Sequence, residues 1–241
     1  MAMPDHETVI VGAGFSGIGT AILLDKAGMG DYLLIEAADG CGGTWHWNTY
    51  PGIAVDIPSY SYQFSFEQSP DWTRTYARGR ELKAYAEHCV DKYGLRSRIR
   101  FNTRVLHVVF DEDADLWRIE TDSGDAVTAR YLINAGGVLT TPQLPDIDGV
   151  DSFAGVTMHT ARWDHSQELA GKRVAIIGTG RRPSRSFPRS HQSSSTSPSF
   201  SARRSGVSRR RTCRCPPPLG ARCGFLAARW RNACSVRRTS S

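Results

Sequence analysis

The segment GAGFSG restricts the fold more than any other feature, because Gly12, Gly14 and Gly17 stand between two apolar segments. The preceding run, residues 9–11, predicts a buried strand, and the apolar residues that follow recur at helical spacing (Ile18, Ala21, Ile22, Leu24). Glycines at this spacing permit a tight turn, approach of the backbone to a phosphate, and close packing of helix on strand. The segment therefore predicts the first βαβ unit of a Rossmann-like α/β fold, with a chance glycine turn as the alternative.

A second strand is predicted at Tyr32–Ile35, and it ends at Glu36. A carboxylate in that position accepts a hydrogen bond from a ribose hydroxyl. It favours an unphosphorylated ribose, as in FAD or NAD, over that of NADP.

Later segments extend this fold into a sheet with a β-meander. Residues 79–95 predict a helix that ends at Gly94, and strands are predicted around 99–101, 105–110, 116–121 and 126–133. The last of these returns to the main sheet. After a connector at 150–170, a strand at Arg173–Ile177 and the turn of Gly178, Thr179 and Gly180 predict the start of a second Rossmann unit. The predicted organisation is a domain at 1–150, a connector and first strand at 151–180, and a tail at 181–241.

The tail has a composition unlike the rest of the chain. Residues 1–180 carry 15 Lys and Arg against 24 Asp and Glu, whereas residues 181–241 carry 15 Arg, 14 Ser and no acidic residue. So little apolar surface predicts a disordered basic tail. A tail that binds nucleic acid or an anionic membrane is the alternative.

Cysteine and histidine spacing gives no zinc motif, so we expect no metal site. The chain starts with an acidic flank and enters a strand at once, and its apolar runs are shorter than a membrane span. These features predict a cytoplasmic protein with reduced thiols and without a membrane partner.

Residues 41–66 are rich in large flat side chains: Trp45, Trp47, Tyr50, Tyr60 and Tyr62. A loop of this composition suits the covering of a flat ring such as isoalloxazine, although ordinary core aromatics under a long loop are the alternative. Asp56 is the one acid among these aromatics. It is a candidate catalytic group, or a carboxylate that is simply hydrogen-bonded.

Three strings together resemble the Baeyer–Villiger monooxygenases of the flavin monooxygenase superfamily. They are GxGxxG, then GGTWxWNxYPG with a following aspartate and SYxY, then FxGxxxHxxxWD before a second glycine turn, and the match covers residues 6–180. The resemblance implies FAD in the first domain and NADPH in the second. It also implies a small-molecule ketone and O₂ as substrates, with one oxygen atom inserted next to the carbonyl through a peroxyflavin. It predicts no specific nucleic-acid partner and leaves the oligomeric state open.

The resemblance also implies roles for individual residues. It adds Ser16 to Gly12, Gly14, Gly17 and Glu36 as contacts of FAD, and Ala54, Val55 and Asp56 as neighbours of the nicotinamide. His159 and Trp163 belong to the connector, where a structural role is favoured. It assigns Gly178, Thr179 and Gly180 as contacts of the NADPH phosphates. The residues that it places around the flavin itself are Thr44, Trp45, His46, Trp47, Asp56, Tyr62 and Val105.

The resemblance stops after Gly180, and a choice of synonymous codons for the tail indicates a reason. Arg181–Ser190, written in synonymous codons with one extra base in front, reads Ala-Thr-Ala-Val-Gln-(Ile/Val)-Val-Pro-Glu-Ile. That string completes Gly-x-Gly-x-x-Ala and starts an amphipathic helix. The same register over Pro198–Arg204 yields Val-Phe-Gln-Arg-Thr-Pro, which the family carries after that helix. The tail is therefore interpreted as a frameshifted sequence and the chain as a truncated, non-functional fragment. A flavin reductase or oxidase without oxygen insertion, and a non-enzymatic protein with a nucleic-acid-binding tail, are the other hypotheses.

Overall fold

A six-stranded mixed sheet organises the residues that the computed structural model describes, 3–139 and 141–177. The strand order is β3-β2-β1-β6-β5-β4. The strands are β1 His6–Val11, β2 Tyr32–Ile35, β3 Ile99–Arg100, β4 Val105–Asp111, β5 Leu116–Thr121 and β6 Ala126–Asn134. Strands β3, β2, β1 and β6 run parallel, whereas β4, β5 and β6 form an antiparallel meander. The predicted Rossmann-like fold with a meander is confirmed.

Three α-helices accompany the sheet: α1 Phe15–Lys26, α2 Thr44–Trp47 and α3 Gly79–Lys92. Short 3₁₀ turns lie at Ser59–Ser61, Leu95–Arg98, Val150–Ser152 and Thr160–Arg162. The helix predicted after residue 79 is confirmed, and Gly94 beyond its end has a left-handed conformation, with φ of 65°. In the part of the chain that the structure describes, no helix has the length and apolarity that crossing a bilayer requires.

The core lies on both faces of the parallel strands because neighbouring strand residues point to opposite sides. Ile10 and Leu34 pack under α1 and α3, where Ile18, Ile22 and Val90 cover them. The opposite face is a smaller apolar cluster closed by the meander (Val9, Leu33, Ile35, Ile119, Val127, Ala129). Burial on both faces explains why β1 and β2 read as continuous apolar runs rather than alternating ones.

The strand predicted at Arg173–Ile177 does not form in the structure. These residues take no regular secondary structure, and the side chains of Ile176 and Ile177 are 37% and 60% exposed. A strand needs a neighbour for its backbone hydrogen bonds, and the described part of the chain offers none to this segment. The glycine turn predicted to follow, residues 178–180, and the tail at 181–241 lie outside the described residues.

The loop between α2 and α3 is fastened to α3 through the buried carboxylate of Glu67. This carboxylate accepts hydrogen bonds from Lys92 Nζ at 2.8 Å and Tyr93 Oη at 3.0 Å, and it pairs with His88 Nε2 at 3.2 Å. Tyr85 Oη donates to the Glu67 carbonyl at 2.6 Å. The loop is thereby fixed at one point even though it contains few regular elements.

Acid should loosen this attachment through Glu67. Hydrogen bonding from Lys92 outweighs the opposing effect of burial and lowers the pKa of Glu67 from an ordinary 4.5 to about 2. A depressed carboxylate pKa adds stability that is present above the ordinary pKa and is lost as pH falls from about 4.5 towards 2. We expect Glu67→Gln to lower the free energy of unfolding near pH 7 by about 1–2 kcal/mol. The deficit should shrink towards pH 2, as measured by urea unfolding across that pH range.

Glu120→Gln is the matched control, because Glu120 pairs with Arg118 on the exposed surface of β5. Exposed pairs contribute little, so its unfolding free energy should follow that of the wild type. A deficit of Glu67→Gln that stays constant with pH would contradict the assignment.

Candidate functional site

A cleft of about 340 Å³ opens where the parallel strands β1, β2 and β6 end. Its walls come from the glycine turn, the end of β2, residues 42–47, Tyr62, residues 103–105, residues 135–137, Thr141 and Arg162. Strand β1 lies between β2 and β6, so the connections leaving these strands diverge at this point. Crevices of this kind are the usual ligand sites of open α/β sheets.

Two glycines of the turn are required by close backbone contacts. Gly12 has φ of +102°, and a Cβ added to it would lie 2.7 Å from the Ala135 carbonyl oxygen. A Cβ on Gly17 would lie 1.9 Å from the Gly12 carbonyl oxygen. These positions allow the turn to sit against the end of β6 and allow α1 to pack onto the turn.

Gly14 differs from its two neighbours because its role is not internal packing. A Cβ there would meet only Gly43, at 3.5 Å from its Cα, which is ordinary van der Waals contact. Gly14 lines the cleft and is the N-cap of α1, which has no capping side chain and no acidic residue in its first turn. The partial positive charge of this helix end therefore faces the cleft, and an anion is the complementary ligand.

Glu36 lies in the cleft wall with only 5% of its surface exposed. Its Oε2 accepts from the Ala13 N–H at 2.6 Å and its Oε1 from the Ala38 N–H at 2.9 Å. The sequence predicts this residue as a ribose acceptor, but the structure adds a second role, since the carboxylate ties the glycine turn to the end of β2. Each oxygen keeps a further lone pair for a ligand hydroxyl.

The aromatic residues of the loop divide between the cleft and the core. Trp45, Trp47 and Tyr62 line the cleft, and Trp45 Nε1 donates to Tyr62 Oη at 3.1 Å with the two rings edge-on at 88°. Tyr50 is buried and Tyr60 is 68% exposed. The rings of this loop are therefore divided: some fill the core and others form a wall of the cleft.

Of the other predicted contacts, Ser16, Thr44 and Val105 line the cleft, but four residues lie away from it. His46 pairs through Nε2 with Asp39 at 3.0 Å. Ala54 bridges to Arg78 ahead of α3, and Val55 is buried behind Trp45. The side chain of Asp56 is exposed, so the apolar aromatic setting expected for it is wrong.

Sequence reasoning missed several cleft residues that are distant along the chain. Arg104, the segment 135–137 and Arg162 all reach the cleft. Arg162 comes from the connector, and its guanidinium lies 4.3 Å from the ring centroid of Trp47. The available signal was the connector string around His159, whose Nδ1 accepts from the Ala161 N–H at 3.0 Å and caps the short turn that carries Arg162.

The fold and the cleft define a Rossmann-type dinucleotide-binding domain. The chain belongs to the pyridine nucleotide-disulphide oxidoreductase family, whose sequence profile matches residues 9–181.

Curated relatives narrow this assignment. The chain is 44% identical over 185 residues to a Baeyer–Villiger monooxygenase of Streptomyces coelicolor, and 44% identical over 174 residues to one of Pseudomonas aeruginosa. The matches cover 74% and 72% of this chain but 36% and 33% of those proteins. The resemblance predicted from the sequence is confirmed, and the chain spans about a third of the length of the relatives it matches.

Solved structures give the same result. The ε-caprolactone-bound cyclohexanone monooxygenase superposes with a TM-score of 0.70 at 39% identity, covering 75% of this chain and 36% of that one. A steroid monooxygenase bound to NADP has a TM-score of 0.68 at 42% identity, with the same coverage. A complex of OTEMO with FAD and NADP has a TM-score of 0.67 at 38% identity and covers 74% of this chain and 36% of that chain.

The contrast between Gly17 and Gly14 can be tested by alanine substitution. We expect Gly17→Ala to lower the free energy of unfolding by about 3 kcal/mol or more, because its Cβ has no room against the Gly12 carbonyl. Gly14→Ala should cost about 1 kcal/mol or less, since the added methyl group meets an ordinary contact. Thermal and urea unfolding of both variants measure the difference, and equal losses would contradict the packing roles assigned here.

Proposed function

We propose that this chain is the FAD-binding part of a Baeyer–Villiger monooxygenase. The observation that carries the proposal is the meeting, in one cleft, of the uncapped α1 N-terminus, the Glu36 carboxylate and an aromatic wall. A dinucleotide carries a diphosphate, a ribose and a flat ring, and these groups match the helix end, the carboxylate and the aromatic wall in turn. The relatives crystallised with FAD and NADP support the same assignment.

The residues fit FAD part by part. The diphosphate suits the α1 N-terminus at Gly14 and Ser16, where a side chain at position 14 would take its space. The unphosphorylated ribose suits Glu36, which keeps acceptor capacity beside its two backbone bonds. The flat ring suits the side of the cleft lined by Trp45 and Tyr62, whereas Trp47 lies under the Arg162 guanidinium. When bound, the flavin supplies the redox chemistry, which no side chain of the described residues provides.

The protein's contribution on this proposal is binding, orientation and exclusion of water. Trp45 and Tyr62 hold each other edge-on, and Phe15 of α1 packs against Tyr62 with ring centroids 5.2 Å apart. Rings held in this way cannot turn freely, so they offer a preformed wall and limit the entropy lost when a flat ligand binds.

The proposed reaction is insertion of one oxygen atom of O₂ next to a ketone carbonyl, with NADPH as the reductant. It is supported by the relatives named as Baeyer–Villiger monooxygenases. Ala54 to Asp56 near the nicotinamide, Asp56 as a catalytic group, and Gly178, Thr179 and Gly180 at the NADPH phosphates stay predictions. A reduced, cytoplasmic environment also stays a prediction.

Thiol chemistry, which the family name suggests as an alternative, has no support in the described residues. Cys41 and Cys89 are both free and buried. Burial raises the pKa of each thiol to about 11, so little thiolate exists near neutral pH. A reductase or oxidase that works on the flavin alone, without oxygen insertion, is the remaining alternative, and product analysis with a ketone distinguishes it.

Flavin binding by the 241-residue chain is the direct test. We expect the purified chain to bind FAD and Gly14→Val to lose it while keeping the sheet, because the branched side chain enters the cleft where the diphosphate must lie. Flavin fluorescence and absorbance measure binding, and far-ultraviolet circular dichroism measures the sheet. A yellow, flavin-replete Gly14→Val protein would contradict the proposed binding mode.

We further propose that residues 181–241 are read out of frame. Two family-like strings emerge in one register of the synonymous codons, and the family profile stops matching at residue 181. The coding DNA around codon 180 decides this directly. The basic-tailed alternative requires salt-dependent binding to DNA that is lost when residues 181–241 are deleted.

Frame and activity should change together. The chain as given should produce no ester, or ester at a rate reduced on the order of a hundredfold or more, since the expected NADPH helix and the charged group beside the flavin have no counterpart in it. Restoring one base in front of codon 181, with the downstream gene intact, should return oxygenation. Gas chromatography of ketone and ester measures the outcome. Ester formation by the 241-residue chain at an ordinary enzymatic rate would contradict the proposal that residues 181–241 are read out of frame.

A further inference from the structure

We propose that Arg162 supplies the cation that pairs with the diphosphate of the bound dinucleotide, so that ligand binding stabilises the connector in its docked position on the cleft. The inference deepens the proposed function and rests on it. It concerns a residue from outside the glycine turn, on a segment that is far from the cleft in sequence.

The charge balance of the cleft is the first argument. Its charged lining residues are Glu36, Arg104 and Arg162. The Glu36 carboxylate is held by two backbone N–H groups, and the ion pairs among the described residues include neither arginine. The cleft therefore presents an excess of positive charge, which suits a ligand with an anionic centre.

The two arginines lie at different ends of the cleft. Arg104 follows Thr103, whose N–H donates to the Glu36 carbonyl at 2.9 Å, so it stands at the ribose end of the cleft. Arg162 lies over Trp47 of α2. The N-cap of α2 is Gly43, and this glycine packs so tightly on Gly14 that an added Cβ would lie 2.9 Å from the Gly14 Cα. Arg162 therefore stands on the side of the cleft where α1 begins.

The guanidinium of Arg162 is held in place but keeps donors to spare. Nη1 donates to the Ala161 carbonyl at 2.7 Å, and the planar group lies 4.3 Å from the Trp47 ring centroid. A guanidinium has five N–H donors, so four remain after the bond to Ala161. Its fixed plane suits two parallel hydrogen bonds to phosphate oxygens, which is the strong form of this interaction.

Two further contacts hold the same stretch of connector. Ala161 is 1% exposed, and His165 Nε2 lies 2.8 Å from Thr49 Oγ1, in the loop that follows α2. These contacts place Arg162 before a ligand arrives. Ligand affinity and connector docking are coupled reciprocally. A diphosphate that binds more tightly when the connector is docked therefore shifts the connector towards its docked position.

Flavin affinity tests the pairing. With the 241-residue chain and FAD as the probe, Arg162→Ala should raise the dissociation constant by about tenfold or more, as expected for loss of a charge-assisted contact. Arg162→Lys keeps the charge without the planar fork and should lose only part of that. Raising the salt concentration should weaken binding of FAD to the wild type more than to Arg162→Ala. The matched control is Arg118→Ala, an exposed arginine of β5 outside the cleft, which should bind FAD as the wild type does.

Hydrogen exchange tests the coupling to the connector. Addition of FAD should slow exchange of the amides in residues 153–165 of the wild type, and this protection should be reduced in Arg162→Ala. Thr49→Val removes the hydroxyl that contacts His165 without touching the ligand, and it should weaken FAD binding to a smaller extent. Circular dichroism of each variant confirms that the sheet is intact.

The possible outcomes distinguish failure of this inference from failure of the proposed FAD-binding function on which it rests. A wild-type chain that binds no FAD would overturn both. A wild type that binds FAD, with Arg162→Ala binding it equally tightly, would overturn the role of Arg162 and leave the proposed function standing. Weaker binding by Arg162→Ala with unchanged protection of residues 153–165 would overturn the coupling.

Discussion

The close approach of the glycine turn to the end of β6 is the constraint on which the site depends. The Ala135 N–H donates to the Val11 carbonyl at 2.9 Å, and Gly12 has no room for a Cβ against the Ala135 carbonyl oxygen. The turn is therefore pressed between β6 on one side and β2 on the other, where Glu36 holds it. This close packing orients the N-terminus of α1 towards the cleft. Rigid backbone, rather than a movable side chain, provides the anion-binding end of the site.

The opposite wall of the cleft is stabilised by different means. The loop between α2 and α3 has little regular structure, and it depends on the pairing of the buried Glu67 carboxylate with Lys92 and on aromatic contacts of Phe64 with the helices. Phe64 and Phe66 stack at 5.1 Å with an interplanar angle of 7°. One wall is thus made of backbone and the other of side chains. The first is fixed by sterics, and the second is sensitive to pH and to the identity of its rings.

The sequence predicts the local elements well because their causes are local. Strand β2 and strand β5 match their predicted bounds, and the glycine turn lies where its spacing indicates. The failures have non-local causes. Arg173–Ile177 reads as a strand, but strand formation requires a neighbour that the segment itself cannot supply. Asp56 has aromatic residues near it in the sequence, yet its side chain is exposed, because proximity along the chain does not determine burial. Arg162 reaches the cleft through packing of the connector, which no periodicity records.

The thiol of Cys41 acquires a further significance from its position. It lies in the buried cluster under α1 and α3 with 2% of its surface exposed, directly before Gly42 in the cleft wall. Burial also raises its pKa to about 11, so both access and ionisation protect it from alkylating reagents. Reaction at this sulfur requires local opening of the segment that carries it. The rate at which Cys41 is alkylated therefore reports how often this part of the cleft wall opens. Mass spectrometry of the alkylated protein measures that rate without an introduced probe residue.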